Sequence, residues 1–287
     1  MTHKQLQLQA EQIREDIINM LVEAGSGHAA GPLGQTDIFT ALYFEILNHR
    51  PKQPDWPDRD RLIQSDGHCV PVRYATMARA GYFPVSELAT LRKLGSRLQG
   101  HPERVRLPGI ETTSGPLGSG LSQAAGMAYA LRMDDSTSRV YCMLGDGELN
   151  EGNIWEAAMF AAKYKLANLT AIVDRNYIQI DGPTEQVMPL GDLAAKWAAF
   201  GWHVIEIDGH NFEAIISAAN LAKAVAERPT VIIAHTIPGK GVDFMEYDYH
   251  FHGYFVDVPG APAKKDQAKV ALHELRTLGG QIRSEHQ

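Results

Sequence analysis

Cysteine is scarce: the 287-residue chain has two, Cys69 and Cys142. They lack C-x-x-C spacing and are too few for a disulfide framework, so neither a zinc site nor cross-links follow from them. Both read as small buried residues with no activating neighbour in sequence. Long apolar runs are also missing. No stretch approaches the roughly 20 residues needed to span a bilayer. The N-terminal MTHKQLQLQAEQIRED is polar, without the apolar core of a secretory signal. Those absences predict a cytoplasmic chain with no membrane partner. Nor is there an excess of positive charge. Lys plus Arg number 27 against 34 Asp plus Glu, a formal charge of -7, and no basic stripe stands out, which argues against nucleic acid as the main partner. With 44% hydrophobic and 21% charged residues, disorder and low-complexity architectures are excluded, and the chain is long enough to bury a sizeable core.

What is present is an alternation. Short β-rich runs at 61–65, 139–144, 169–174, 203–207 and 230–235 are separated by helical patterns at about 121–132, 153–165, 192–199 and 211–227. Nearly all-apolar strands alternating with helices predict an α/β fold: a doubly wound, mostly parallel sheet with helices on both faces. Ile13, Ile17 and Leu21 mark one face of a first helix over about 6–23. A second pattern runs over 36–47 behind a Gly/Pro-rich opener, and the tail from 264 to 282 reads as a last helix. The segment RPKQPDWPDRDR is a surface loop. Two further stretches, 95–120 and 236–262, are long, rich in Gly, Pro and His, and without periodicity, a texture that marks functional loops. In such a sheet ligands bind beyond the carboxyl ends of the strands, so the residues just after each strand carry the functional reading.

The run RVYCML leads straight into GDGELNEG, and LTAIVD leads into Arg175-Asn176. One β-α-β unit therefore separates Asp146 from Asn176. If the two strands are neighbours, their ends lie about 4.8 Å apart. A carboxylate and an amide oxygen at that separation suit one hard cation, and Mg²⁺ usually keeps few protein ligands beside phosphate oxygens. Gly145 and Gly147 would let a bulky anion approach the backbone. A lone GDG is weak; paired with a later Asn it is far more specific. Other readings fail: Ala157 stands where an EF-hand needs a bidentate Glu, no Gly-Lys-Ser/Thr follows either GPLG, and no G-x-G-x-x-G opens a helix. Four of the twelve histidines also sit in Gly-containing loops: His28 in GSGHAAGPLG, His68 in SDGHCVP, His101 in LQGHPE and His252 in FHGYF. Near-neutral imidazoles exchange protons with hydroxyl groups, which suits a polyhydroxylated substrate.

The stretch GDGELNEGNIWEAAMFAAKYKLANLTAIVDRNYIQIDG resembles the thiamine diphosphate signature of the transketolase family. The histidine loops, TTSGPLGSGLS and HTIPGKGVDFMEYDYHFHG extend the resemblance over nearly the whole chain. It implies the diphosphate-binding fold of that family over 1–262, followed by a C-terminal helical extension over 263–287. It implies a cation, Mg²⁺ or else Ca²⁺ or Mn²⁺, on Asp146, Asn176 and the Ile178 carbonyl. Thiamine diphosphate would meet His68, Gly115, Pro116, Leu117, Gly147, Asn176 and His252. Glu151 and Glu156 would support the cofactor across a subunit interface. His28, His101 and His252 would face the hydroxyls and reacting carbonyl of a phosphorylated sugar during two-carbon ketol transfer. Ala29-Ala30 and Tyr254 depart from the family pattern and leave the donor, xylulose 5-phosphate or apulose 4-phosphate, open. The pyrimidine-binding half of fused members resembles nothing here, so the chain resembles the N-terminal subunit of a split transketolase. Its partner would be a C-terminal subunit, in a two-plus-two heterotetramer. The competing readings are a 1-deoxyxylulose-5-phosphate synthase-like enzyme, a non-catalytic scaffold and the α subunit of a 2-oxoacid dehydrogenase. Lys240 is open between diphosphate contact and solvated loop residue.

Overall fold

The computed structural model describes residues 1–253 and 264–277. Five strands form one sheet, all parallel: β1 (Arg61–Gln64), β2 (Val140–Gly145), β3 (Leu169–Arg175), β6 (His203–Asp208) and β7 (Thr230–His235), in the order β1-β2-β3-β7-β6. A two-stranded antiparallel pair, β4 (Ile178–Gln179) and β5 (Gly182–Pro183), follows β3 directly.

Alternation along the strands sorts the core into two layers. Tyr141, Met143, Ile172, Ile232 and Ala234 pack with α1 (His3–Ala24), α2 (Ala30–Ala41), α3 (Val70–Arg79) and α8 (Phe212–Ala224). Val140, Cys142, Leu144, Ala171, Val173, Val231 and Ile233 face the other way. There they meet α4 (Ser119–Met133), α5 (Gly152–Lys163) and α7 (Leu193–Ala199). Each fully buried large apolar side chain contributes about 1.5–3 kcal/mol. On the second layer Trp155 and Trp197 stack within 5.2 Å of each other, and Trp202 donates its indole N–H to the Ala158 carbonyl at 3.0 Å. The expectation of two covered sheet faces is met.

Local signals explain most boundaries. Thr2 and Gln5 form a reciprocal capping box on α1, and Gly25 ends the helix at φ 65°. The opener before the second helix turns out to be helix: α2 starts at Ala30, so Pro32 lies in its first turn, where a missing N–H costs nothing. A single π-helical turn, Leu42–Ile46, then ends it. Helix α3 is buried all round from Val70 to Ala78, and Pro71 in its first turn, flanked by the β-branched Val70 and Val72, hides its start in the sequence. A short α6 (Thr184–Val187) follows β5. Helix α9 (Lys264–Leu275) packs Ala271 and Leu275 into the first layer, and Arg276 just beyond it pairs with Glu15 of α1. The boundary expected at 262/263, Tyr254, and the end of the tail helix lie outside the described residues. Among the described residues no helix is long and apolar enough to cross a membrane.

Candidate functional site

Strand register places the site. Gly145 of β2 pairs with Asp174 of β3, so the next residues, Asp146 and Asn176, leave the sheet side by side. The Asp146 carboxylate is buried and accepts from the Gly147 N–H at 2.7 Å, the Tyr177 N–H at 2.8 Å and Arg175 Nη1 at 2.9 Å. Burial and the neighbouring Asp174 push its pKa up to about 6, against the pull of Arg175. Asn176 donates its amide to Asp174 Oδ2 at 2.8 Å, and its Oδ1 accepts from the Ile178 N–H at 3.0 Å. Tyr177 between them takes a left-handed backbone (φ 65°), which turns the chain sharply enough to bring Ile178 back to the same hollow.

That hollow, about 370 Å³, lies at the carboxyl ends of β2 and β3. One wall is glycine: Gly115, Gly145 and Gly147 line it. A Cβ on Gly147 would come within 3.1 Å of the Gln179 side chain, so this position stays bare. Glu148, buried behind the wall, ties it together. It accepts from the Gly118 N–H at 2.7 Å, the Gly145 N–H at 3.1 Å and the Ser65 hydroxyl. The opposite wall is imidazole. His28, His68 and His252 have ring centroids 4.8, 5.0 and 5.7 Å apart, and His101 closes the ring at Gly115. Burial lowers the His28 pKa to about 3, helped by His252, Arg92 and His101. It lowers His252 to about 4 and His68 well below its usual value. At neutral pH the wall is uncharged, and His28 Nδ1 is buried with no partner.

Of the residues expected from sequence, His28, His68, His101, Gly115, Leu117, Asp146, Gly147, Asn176, Ile178 and His252 line this one hollow. Pro116 is exposed on the loop between Gly115 and Leu117 and does not line it. Glu151 and Glu156 are exposed and do not line it. Lys240 lies elsewhere, in a neighbouring hollow of about 770 Å³ beside Arg14, Asp37 and His210. Both cysteines are buried, and burial pushes both thiols up, as expected of packing residues; Cys69 nevertheless borders the site. Periodicity and motif reading passed over Gln35, Asp66, Glu148 and Asp174. Asp66 stands two residues before His68 and Glu148 follows GDG, so the motifs themselves pointed to them. Gln35, inside α2, carried no signal.

The donors suit a divalent cation that carries phosphate: one carboxylate, one amide oxygen and one backbone carbonyl are hard oxygen ligands, and phosphates complete such a shell. Among the described residues no group of three or more His, Cys, Asp or Glu is poised to bind a metal, so a thiol or imidazole site is not what this arrangement offers. A bare glycine wall, a partnerless imidazole nitrogen and hard oxygens fit a diphosphate cofactor.

In open parallel α/β sheets ligands sit beyond the carboxyl ends of the strands, and this chain brings His28, Asp146 and Asn176 together at that place. The match to the family described as "Transketolase, thiamine diphosphate binding domain" covers residues 5–273; the chain belongs to the transketolase family. It is 46% identical over 241 residues to a protein named as a 6-deoxy-6-sulfo-D-fructose transketolase subunit from Clostridium sp. (strain MSTE9), covering 84% of this chain and 88% of that one. It is 43% identical over 273 residues to a protein of Phocaeicola vulgatus named as an apulose-4-phosphate transketolase subunit, covering 95% and 96%. Human transketolase is 38% identical over 267 residues, 93% of this chain but 41% of its own length. Among solved structures, a Pichia stipitis transketolase superposes with TM-score 0.87 at 32% identity, covering 98% of this chain and 44% of that chain. A Campylobacter jejuni transketolase gives 0.85 at 31%, covering 99% and 48%. The chain thus spans less than half of the solved transketolases it matches.

Proposed function

We propose that this chain is the diphosphate-binding subunit of a two-part transketolase, working in the cytoplasm and completed by a separate pyrimidine-binding subunit in a two-plus-two assembly. Two relatives named as subunits are covered over 88% and 96% of their length, whereas human transketolase is covered over 41% of its own. The observation that carries the reading is the meeting of Asp146 and Asn176 with the neutral His28–His68–His252 cluster across one hollow.

In this reading Asp146, Asn176 and the Ile178 carbonyl hold Mg²⁺, with Mn²⁺ or Ca²⁺ as substitutes. Gly147, without a side chain, leaves room for the diphosphate and Asn176 turns its second amide hydrogen to it, while His68 and the loop at Gly115, Pro116 and Leu117 enclose the cofactor. Glu151 and Glu156, on the exposed start of α5, reach toward the partner. Thiamine diphosphate supplies a carbon nucleophile and electron sink for breaking the bond next to a ketose carbonyl. His28, His101 and His252 orient the hydroxyls of a ketose phosphate. Being neutral, each imidazole offers one donor and one acceptor nitrogen, so the cluster binds hydroxyls and accepts a proton without first losing one. The ketose class includes the sugars in the relatives' names, apulose 4-phosphate and 6-deoxy-6-sulfo-D-fructose, as well as xylulose 5-phosphate.

The test is reconstitution with a pyrimidine-binding subunit, thiamine diphosphate and Mg²⁺, following aldose release from xylulose 5-phosphate and apulose 4-phosphate beside pyruvate decarboxylation. Two-carbon transfer that requires both subunits is expected. Full turnover by this chain alone, or preference for pyruvate, would sink the proposal.

A further inference from the structure

Three buried carboxylates stand behind the smaller hollow: Asp66 after β1, Glu148 after β2 and Asp174 at the end of β3, with 0%, 3% and 0% of their surface exposed. All three border the hollow, the space assigned above to a diphosphate. Three full negative charges there would oppose a polyanion, so their hydrogen bonds decide which are charged.

Glu148 accepts three donors: two backbone N–H groups and the Ser65 hydroxyl. Asp174 also accepts three, from Gln35 Nε2 at 2.9 Å, Asn176 Nδ2 at 2.8 Å and the Thr236 hydroxyl. Asp66 is different. Its Oδ2 takes Gln35 Nε2 at 2.5 Å, the same nitrogen that serves Asp174, and the Cys69 thiol adds one weak donor. Its Oδ1 is buried with no partner, and Gln35 Oε1 is equally bare. The nearby guanidinium of Arg175 is engaged with Asp146 and Glu185. His68, on the same turn, is held neutral by burial. A buried carboxylate lacking donors is the costly member of such a set, and a proton removes the cost.

We propose that Asp66 is a neutral carboxylic acid in the loaded protein and donates its proton from Oδ1 in a hydrogen bond to the diphosphate of the cofactor. No covalent bond changes; a partnerless oxygen becomes a donor where an anion needs one. Burial, with Glu148 and Asp174 as like charges, raises the Asp66 pKa well above the carboxylate range, in the same direction. The idea rests on the cofactor assignment above and gives a role to Asp66, a residue of SDGHCVP to which that assignment gave none.

The experiment is calorimetric titration of thiamine diphosphate into the full chain at constant Mg²⁺, for the wild type and Asp66→Asn, from about pH 6 upward to the alkaline limit of the folded chain. Asn keeps a donor at this position and cannot titrate. D66N is expected to bind within about threefold of wild type at the acid end. Wild-type Kd should rise relative to D66N, approaching tenfold per pH unit once Asp66 ionises. D66N more than tenfold weaker at every pH would overturn the proposal. Infrared spectra of the loaded wild type, with ¹³C-labelled aspartate, supply a readout that needs no variant. A carboxylic acid C=O band that shifts with the label is expected, and its absence overturns the proposal even where D66N does not fold. If thiamine diphosphate fails to bind the wild type at all, the cofactor assignment falls, and this inference falls with it.

Discussion

Two hollows open at the carboxyl end of the same sheet, and the larger is the less interesting. The one beside β6 and β7, about 770 Å³, has at its centre three charged or polar groups that satisfy one another, Arg14, Asp37 and His210. Arg14 pairs with Asp37 at 2.5 Å, and His210 donates from Nδ1 to the same carboxylate at 2.7 Å. His210 Nε2 in turn accepts the Ile237 N–H. Asp37 is accordingly held well below the usual carboxylate range by Arg14 and His210, against its burial. The hollow beside β2 and β3 has half the volume and the opposite character: neutral imidazoles, bare glycines, and buried oxygen and nitrogen atoms without partners. Folding alone rewards the first arrangement and penalises the second. Size therefore does not mark a site here; neutral imidazoles and hard oxygens meeting across bare glycines do.

If that contrast is right, damage on the two sides should show in different measurements. The largest effect is expected from Asp37→Ala, which strands Arg14 without its carboxylate in a buried place. It should cost about 3–5 kcal/mol in denaturant unfolding while leaving the Kd for thiamine diphosphate within about twofold. Asp146→Ala should do the reverse. Cofactor affinity measured with Mg²⁺ should fall at least about 100-fold, beyond the 10–100-fold typical of outer-shell partners. Its melting temperature should fall less than that of Asp37→Ala, because burial already disfavours the Asp146 charge and Arg175 keeps Glu185.

Acid titration gives a smaller effect with a definite sign. His28 and His252 have folded pKa values near 3 and 4, below the ordinary 6.5, so between those values the unfolded chain binds more protons. The histidine contribution to stability should therefore decline as pH drops below about 6.5, while the buried carboxylates with raised pKa, Asp146 and Asp66, pull the other way, so the histidine share is read from the difference between wild type and a His28 variant. In His28→Asn the decline should be shallower; an unchanged slope would remove the buried, neutral imidazole wall from the account. The smallest effect belongs to Lys240→Ala on the larger hollow. Lys240 has no ion pair among the described residues, so stability should stay within about 0.5 kcal/mol and cofactor affinity unchanged.

The same contrast governs what could be read from the sequence. The strands were legible because central parallel strands are short apolar runs, and Asp146, Asn176 and the histidine loops because each lies next to a strand end or a glycine turn. The start of α2 was misplaced because Gly31 and Pro32 look like loop residues, although a first helical turn tolerates both. Helix α3 is hidden in the sequence because Pro71 and the β-branched Val70 and Val72 at its start look like loop or strand, although a first helical turn tolerates Pro. Gln35 was invisible for a different reason. It reaches Asp66 and Asp174 across 31 and 139 residues of chain, and only the fold brings those partners together. Asp66, Glu148 and Thr236 likewise converge from the ends of β1, β2 and β7, so the motifs revealed the lining of the site but not the polar floor beneath it.

The central claim is that the smaller hollow, not the larger, takes the cofactor and its cation. Its most direct test is a crystal of the chain grown with thiamine diphosphate and Mn²⁺ and measured at the manganese absorption edge. One anomalous peak within coordination distance of Asp146, Asn176 and the Ile178 carbonyl, beside diphosphate density, is the predicted result. A peak among Asp37, Asp208 and Glu274 in the larger hollow, or cofactor density there, would contradict the account.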